Sequence, residues 1–175
     1  MRHHRPVTSQ DPSPEDYAAA VPKPRRVEQR ADFVLACLDD SDDFDPDQAS
    51  LLLGIAATAT TRRGEVLSSG FTCRWSSWTW GTPVLVDTDS EDLVRQVLDK
   101  LETARDELVE ARERWRLGAQ INLVVYMYGV IEVEDGTPWA DVSTPGLHFT
   151  RETVRRLAVL DASIDIDSYI IVAPS

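Results

Sequence analysis

Apolar and polar residues alternate along several separate stretches of the chain, which predicts strands with one face buried. The clearest is "SIDIDSYIIV", residues 163–172, where isoleucine and aspartate take alternate positions. Asp165 and Asp167 are therefore predicted to point away from the flanking isoleucines and to add acid to one face of a sheet. The stretch "AQINLVVYMYGVIEV", residues 119–133, is almost continuously apolar, as is typical of a central strand. A shorter run over residues 33–38 predicts a further strand.

Helical periodicity marks the segment between these strands. Four large apolar residues recur every seven positions, namely Val94, Leu101, Leu108 and Trp115. One long helix from about residue 89 to residue 117 is predicted, begun by a capping box of Thr88 and Glu91. A short helix capped by Thr150 is predicted later, with Val154, Leu157 and Leu160 facing inward.

The acidic stretch "DDSDDFDPDQ", residues 39–48, fits a helix start better than a calcium loop. A calcium loop counted from Asp43 would need glycine and glutamate where Gln48 and Gly54 stand. Asp45 as the N-cap followed by Pro46 at the first helical position explains the same letters, and Gly54 then ends the helix. Leu51, Leu52 and Ile55 would be its buried side chains. The remaining acids, Asp39, Asp40, Asp42 and Asp43, are candidates for a patch that faces a partner.

The aromatic stretch "FTCRWSSWTWGTP" leaves two interpretations open. Strict alternation places Cys73 and Trp75 on one face of a strand and Arg74, Trp78 and Trp80 on the other. A β-bulge at residues 76–77 would return the last two indoles to the core. Without the bulge, they and Arg74 would form a surface of the kind found at binding hot spots.

The segment "EDGTPWADVSTPG" is predicted to be a loop that carries Trp139. This indole either folds back onto the core or serves as a contact residue. A pocket between the sheet and this loop, near Arg74 and His148, is the alternative kind of site, suited to a small ligand or an enzyme substrate.

The order of elements predicts an α+β fold. An antiparallel or mixed sheet with helices mainly on one face, like a ferredoxin-type sandwich, accounts for strand, helix, two strands, long helix, strand, helix and strand. Half of the ten prolines lie in the first 30 residues. Residues 1–30 are therefore expected to form a flexible proline-rich tail, and residues 31–175 a single α+β domain.

The net charge of the chain indicates which classes of partner it can bind. Residues 1–30 hold six Lys/Arg against four Asp/Glu, whereas the rest holds twelve against twenty-six, a net charge of −14. Such a body repels phosphate backbones and attracts basic proteins, so a basic protein partner is expected and nucleic acid is not. No stretch has the roughly 20 apolar residues that a membrane helix needs. No secretory signal is evident, and two cysteines in apolar runs suit a reducing compartment, so we expect a cytoplasmic protein without membrane association.

Catalytic chemistry finds little support in the sequence. His148 lies in an alternating run typical of a half-exposed strand, and a Cys73–His148 nucleophile pair lacks an orienting third group. Neither a phosphate-binding glycine loop nor a spaced metal-ligand set occurs, so no catalytic residue, cofactor or metal is predicted.

Four motifs in order carry a resemblance to a known family. They are the acid-Pro-acid helix start with Leu-Leu-Gly, the pair Arg63–Gly64, the strand containing Trp75, and the closing Ile-Asp-Ile-Asp strand. In this order the chain resembles the bacterial family of domain of unknown function 4279 over roughly residues 32–172. The resemblance implies a small intracellular α+β domain and brings no established catalytic residues.

The expectation for function is a non-enzymatic acidic protein-binding module, of an immunity or adaptor type, that captures a basic partner. The candidate partner-binding residues are Asp39, Asp40, Asp42, Asp43, Arg74, Trp78, Trp80 and Trp139.

Overall fold

The described part of the chain forms a seven-stranded sheet and four helices. The computed structural model describes residues 26–37 and 44–173. Its elements in chain order are β1 (Arg26–Cys37), α1 (Pro46–Leu53), β2 (Ala59–Thr61), β3 (Ser77–Gly81), β4 (Leu85–Val86), α2 (Ser90–Glu102), α3 (Arg105–Trp115), β5 (Leu117–Glu134), β6 (Thr137–Val142), α4 (Arg151–Val159) and β7 (Ser163–Ala173).

A long antiparallel ladder between β1 and β5 forms the centre of the sheet. Twelve residue pairs join the two strands, from Arg26 opposite Tyr128 to Cys37 opposite Leu117. The other edge of β1 pairs with β3 and, further along, with β4, and β2 lies outside β3. The predicted central strand is thus confirmed as β5, the longest strand in the described residues.

The far edge of β5 pairs with β7 in parallel, so the sheet is mixed. β6 forms an antiparallel hairpin with the end of β5. Gly129 and Val130 pair with both β6 and β7, and because a strand has only two edges, β6 must lie on the β1 side of β5. The predicted α+β class is confirmed. The ferredoxin-type arrangement is not confirmed, because the strand order runs β2-β3-β1-β5-β6 with β7 beside β5.

All four described helices contribute to one core on one face of the sheet. Alternation on β1 and β5 sends the odd-numbered side chains to this helix-covered face. The fully buried members with the largest side chains are Phe33, Leu35, Trp78, Leu93, Leu98, Leu101, Leu108, Ile121 and Leu123.

The start of the domain lies earlier than predicted. β1 begins at Arg26, not at Phe33, and its residues Gln29 and Arg30 are buried. Residues 26–30, which were expected to end the tail, are thus part of β1. The rest of the proline-rich tail, residues 1–25, lies outside the described residues.

The predicted start of α1 is confirmed. Asp45 is its N-cap and accepts a hydrogen bond from the backbone N–H of Asp47 at 3.1 Å, and Gly54 ends the helix in the left-handed conformation. Arg62 pairs with both aspartates, which supports their structural role. The prediction that Leu51 is buried is wrong, since 83% of its surface is exposed.

The predicted long helix is interrupted. α2 ends at Glu102, and α3 begins at Arg105 after a non-helical Ala104 with φ −130°. The Thr103 hydroxyl donates to the carbonyl of Lys100 at 2.7 Å, a local bond that competes with helix continuation. The cap of α2 is Asp89, not Thr88, because its carboxylate accepts from the Glu91 backbone N–H.

A buried carboxylate joins the starts of α2 and α4. The Glu91 Oε1 atom accepts from the hydroxyls of Thr150 and Thr153, at 2.6 and 2.5 Å, and from the backbone N–H of Thr150 at 3.0 Å. Thr150 is the N-cap of α4, as predicted. The prediction that Val154 faces inward is wrong, as 54% of its surface is exposed. The two hydroxyl bonds, with smaller help from Arg95, lower the pKa of Glu91 to about 2.

Replacement of Glu91 tests this junction through its pH dependence. Because the folded-state pKa lies below the ordinary value of 4.5, the ionised form stabilises the fold fully above pH 4.5. That stabilisation is lost as the pH falls towards 2. Glu91→Gln should therefore unfold at lower urea than the wild type at pH 7, and the difference should shrink between pH 4.5 and pH 2. The exposed Glu107→Gln is the matched control, and a constant difference for Glu91→Gln at every pH would contradict the assignment.

Candidate protein-binding surface

The face of the sheet opposite the helices, called the far face here, carries a different set of side chains. It receives the even-numbered residues of β1 and β5, and the pairing register adds alternate residues of the neighbouring strands. On β7 these are the odd-numbered residues, and on β6 they include Trp139 and Asp141. The prediction that Asp165 and Asp167 point away from the isoleucines is confirmed.

Arginine, tyrosine and glutamate form a cluster at the start of β1. The Arg26 guanidinium lies over the Tyr128 ring, with Cζ 5.1 Å from the ring centroid, and it pairs with the Glu28 carboxylate. The Tyr128 hydroxyl donates to the other Glu28 oxygen at 2.9 Å. The far face thus holds an arginine by ring stacking and carboxylate pairing together.

The middle of the far face is buried. Arg30 and Asp32 form an ion pair at 3.0 Å, and each residue keeps only 7% of its surface exposed. Val34 and Val124 beside them are also buried. The side chains in this part of the sheet are therefore not accessible to a partner. The accessible side chains of the far face lie towards β6 and β7.

Six residues of β5, β6 and β7 form an acidic and aromatic rim, which we call the acidic-aromatic surface. Its members are Glu132, Trp139, Asp141, Asp165, Asp167 and Tyr169, all on the far face by register. Trp139 and Tyr169 are 43% and 42% exposed, and the four acids are half-buried. The surface combines carboxylates with rings, the residue types suited to binding cations.

Neighbouring side chains hold this surface in place. The ring of Tyr126 stacks on that of Tyr169, with centroids 5.3 Å apart and planes 20° from parallel. Gln120 donates to Asn122 at 2.6 Å and to Asp165 at 3.4 Å. Residues on β5 therefore restrict the side chains that β7 presents.

The interpretation of Trp78 and Trp80 as far-face residues is wrong. Trp78 lies opposite Leu35 and Trp80 opposite Phe33, so both indoles point to the helices. Trp78 is fully buried, and its Nε1–H donates to the Ser50 hydroxyl of α1 at 2.9 Å. The alternation of side chains between the two faces is interrupted by a bend at residues 74–75, before β3 begins, and not by a bulge within the strand. Trp78 offers no surface to a partner, and Trp80 is half-buried.

Trp139 lies on a strand, which corrects the predicted loop. It belongs to β6 and pairs with Glu132 across the hairpin. The connecting residues Asp135 and Gly136 have φ of 50° and 77°, the two positive values of a type I′ turn. The indole is exposed and does not fold back onto the core.

The remaining candidate residues are not brought together. Arg74 is exposed and precedes β3, which lies level with the start of β5 near Gly118. Trp139 pairs with Glu132 near the other end of β5, roughly 45 Å away along the strand at about 3.3 Å per residue. A single pocket cannot include both. The four acids Asp39, Asp40, Asp42 and Asp43 lie outside the described residues, so their role stays a prediction.

The two candidate catalytic groups, Cys73 and His148, are not among the six residues of the acidic-aromatic surface. Cys73 is buried, and desolvation, with the nearby Glu65 charge, raises the pKa of its thiol. His148 is exposed. Among residues 26–37 and 44–173, no three His, Cys, Asp or Glu side chains are placed to share a metal ion. Within the same ranges, no helix is long and apolar enough to cross a bilayer.

Sequence reasoning did not identify Glu132 on β5, Asp141 on β6 or Tyr169 on β7 as members of this surface. The apolar run of β5 hid Tyr126 and Glu132, although alternation places both on the face of Asp165. The Asp135–Gly136 dipeptide is a strong hairpin signal that would have placed Trp139 and Asp141 on a strand.

Comparison with known proteins gives one result. The family described as Domain of unknown function (DUF4279) matches residues 35–171, which is most of the chain. No curated protein and no solved structure matches.

Two tryptophan replacements distinguish core from surface. Trp78→Ala removes a fully buried ring and its bond to Ser50, so it should lower the free energy of unfolding by about 3–5 kcal/mol. Trp139→Ala should lower it by less than about 1 kcal/mol, since the ring is exposed. Urea unfolding followed by circular dichroism measures both values. Equal losses would mean that the two indoles are not divided between core and surface.

Proposed function

Given that the chain belongs to the DUF4279 family, whose description assigns no activity, we propose that it is a non-enzymatic protein-binding module. Its acidic-aromatic surface captures a basic protein partner, in the manner of an immunity or adaptor protein. The observation that carries the proposal is the position of four carboxylates and two exposed rings on one face of the sheet.

The charge balance of the far face favours a cationic ligand. Its two β1 arginines, Arg26 and Arg30, already pair with Glu28 and Asp32. These two ion pairs are electrically neutral, and the four acids of the acidic-aromatic surface add negative charge to the same face. Among the described residues of the far face, acids therefore outnumber the two arginines, and the field of such an excess would speed the approach of a basic partner.

The aromatic members give the surface contact area as well as charge. Exposed tyrosine and tryptophan are enriched at binding hot spots, because a large ring buries much surface at a small cost in side-chain entropy. Tyr169 is further restricted by its stack on Tyr126. Charge steers the encounter, and the rings stabilise the bound complex.

Charge reversal on β7 tests the proposal. The tagged full-length chain captures partners from its native cells, and the proteins retained are identified by mass spectrometry. Asp165→Lys combined with Asp167→Lys should abolish capture of a basic protein, because it reverses the charge of two of the four acids of the surface. Capture by the wild type should also weaken as salt rises above about 0.1 M, where the screening length falls below about 10 Å.

The matched control places the same charge change on the helix side of the molecule. Glu107→Lys with Glu110→Lys alters two exposed residues of α3 and should leave capture unchanged. Reversal of Asp39, Asp40, Asp42 and Asp43 measures whether that acidic stretch contributes. If the β7 variant is folded and retains the same partners as the wild type, the proposal is wrong.

A further inference from the structure

The far face holds the guanidinium of Arg26. Arg26 lies on the Tyr128 ring and pairs with the Glu28 carboxylate, whose second oxygen accepts from the Tyr128 hydroxyl. Ring, carboxylate and guanidinium are thus combined on two neighbouring strands. The arrangement uses the planar shape of arginine, because stacking and carboxylate pairing occur together.

The same ring and carboxylate chemistry recurs on β7 with an exposed ring. Asp167 and Tyr169 are two residues apart on one strand, so their side chains leave the far face about 7 Å apart. Tyr126 covers one side of the Tyr169 ring, and 42% of Tyr169 remains exposed. Asp165 lies one further step along the same face.

This spacing suits arginine better than lysine. A guanidinium can lie flat on a tyrosine ring and direct its N–H donors sideways to a carboxylate, whereas an ammonium is a compact and strongly hydrated charge. Arginine also forms two parallel hydrogen bonds with one carboxylate. Lysine would gain the attraction of the acids but little from the ring.

We propose that the acidic-aromatic surface selects arginine over lysine, with a partner's guanidinium stacked on Tyr169 and hydrogen-bonded to Asp167. The inference rests on the proposed function, since it names the side chain by which a basic partner is held. The partner is accordingly a protein that presents an exposed arginine, and lysine in its place binds less tightly.

Peptide binding to the full-length chain tests the selectivity. Two glycine-spaced peptides, one with arginines and one with lysines at the same positions, are titrated at low salt and followed by fluorescence anisotropy. The arginine peptide should bind roughly two- to fivefold more tightly, the range expected for a cation held on an exposed ring. A third peptide with neutral citrulline in place of arginine should bind much more weakly than either.

Variants at Tyr169 separate the ring from the charge. Tyr169→Leu should lower the arginine affinity to that of lysine and leave lysine affinity almost unchanged. Tyr169→Phe keeps the ring and should keep the preference, which guards against a folding defect in the leucine variant. Asp167→Asn should weaken the binding of both peptides. Glu107→Gln, which removes one exposed charge on α3, should leave both affinities almost unchanged.

The outcomes distinguish this inference from the proposed function. Equal binding of the two charged peptides, with loss of both in the Asp165→Lys, Asp167→Lys variant, would overturn the arginine preference and support the proposed function. A preference that survives in Tyr169→Leu would also overturn the inference. Absence of binding by either charged peptide would count against both proposals.

Discussion

Twelve consecutive residue pairs join β1 to β5, and the pleat of this ladder decides which side chains meet the helices. Odd-numbered residues enter one core together with α1 to α4, and even-numbered residues form the far face. The pairing of each neighbouring strand with β1 or β5 then decides which of its side chains lie on each face. A shift of the register by one residue would exchange the two faces, placing Arg30 and Asp32 among the helices and Phe33 on the far face.

The two faces therefore serve different purposes. On the helix-covered face, apolar packing dominates, and polar groups such as Glu91 are satisfied by helix starts. On the far face, ion pairs and stacked rings lie beside a small apolar cluster of Val124, Tyr126, Tyr128 and Ile171, and the acids lie towards β6 and β7. The four described helices lie on one side of the sheet, and the exposed rings of Trp139 and Tyr169 lie on the other.

The sequence predicted those elements whose pattern is set locally. The isoleucine and aspartate alternation of β7 and the Asp45 cap of α1 are of this kind. The face to which Trp78 points depends on a bend before β3, and the spacing of apolar residues does not reveal that bend. The first residues of β1 escaped detection because Arg26, Glu28, Arg30 and Asp32 give a polar pattern, and only their ion pairs and the β5 register explain why a strand contains them. Assembly of the acidic-aromatic surface also required the parallel pairing of β7 with β5, which joins residues 43 positions apart, such as Asn122 and Asp165.

In the proposed complex, a basic partner contacts the far face and not the helices. Chemical-shift mapping of the ¹⁵N-labelled full-length chain, titrated with an arginine-containing peptide, tests this most directly. We expect the largest changes on β6 and β7, including the indole N–H of Trp139 and the amides around Tyr169. Changes confined to α2, α3 and α4 would contradict it.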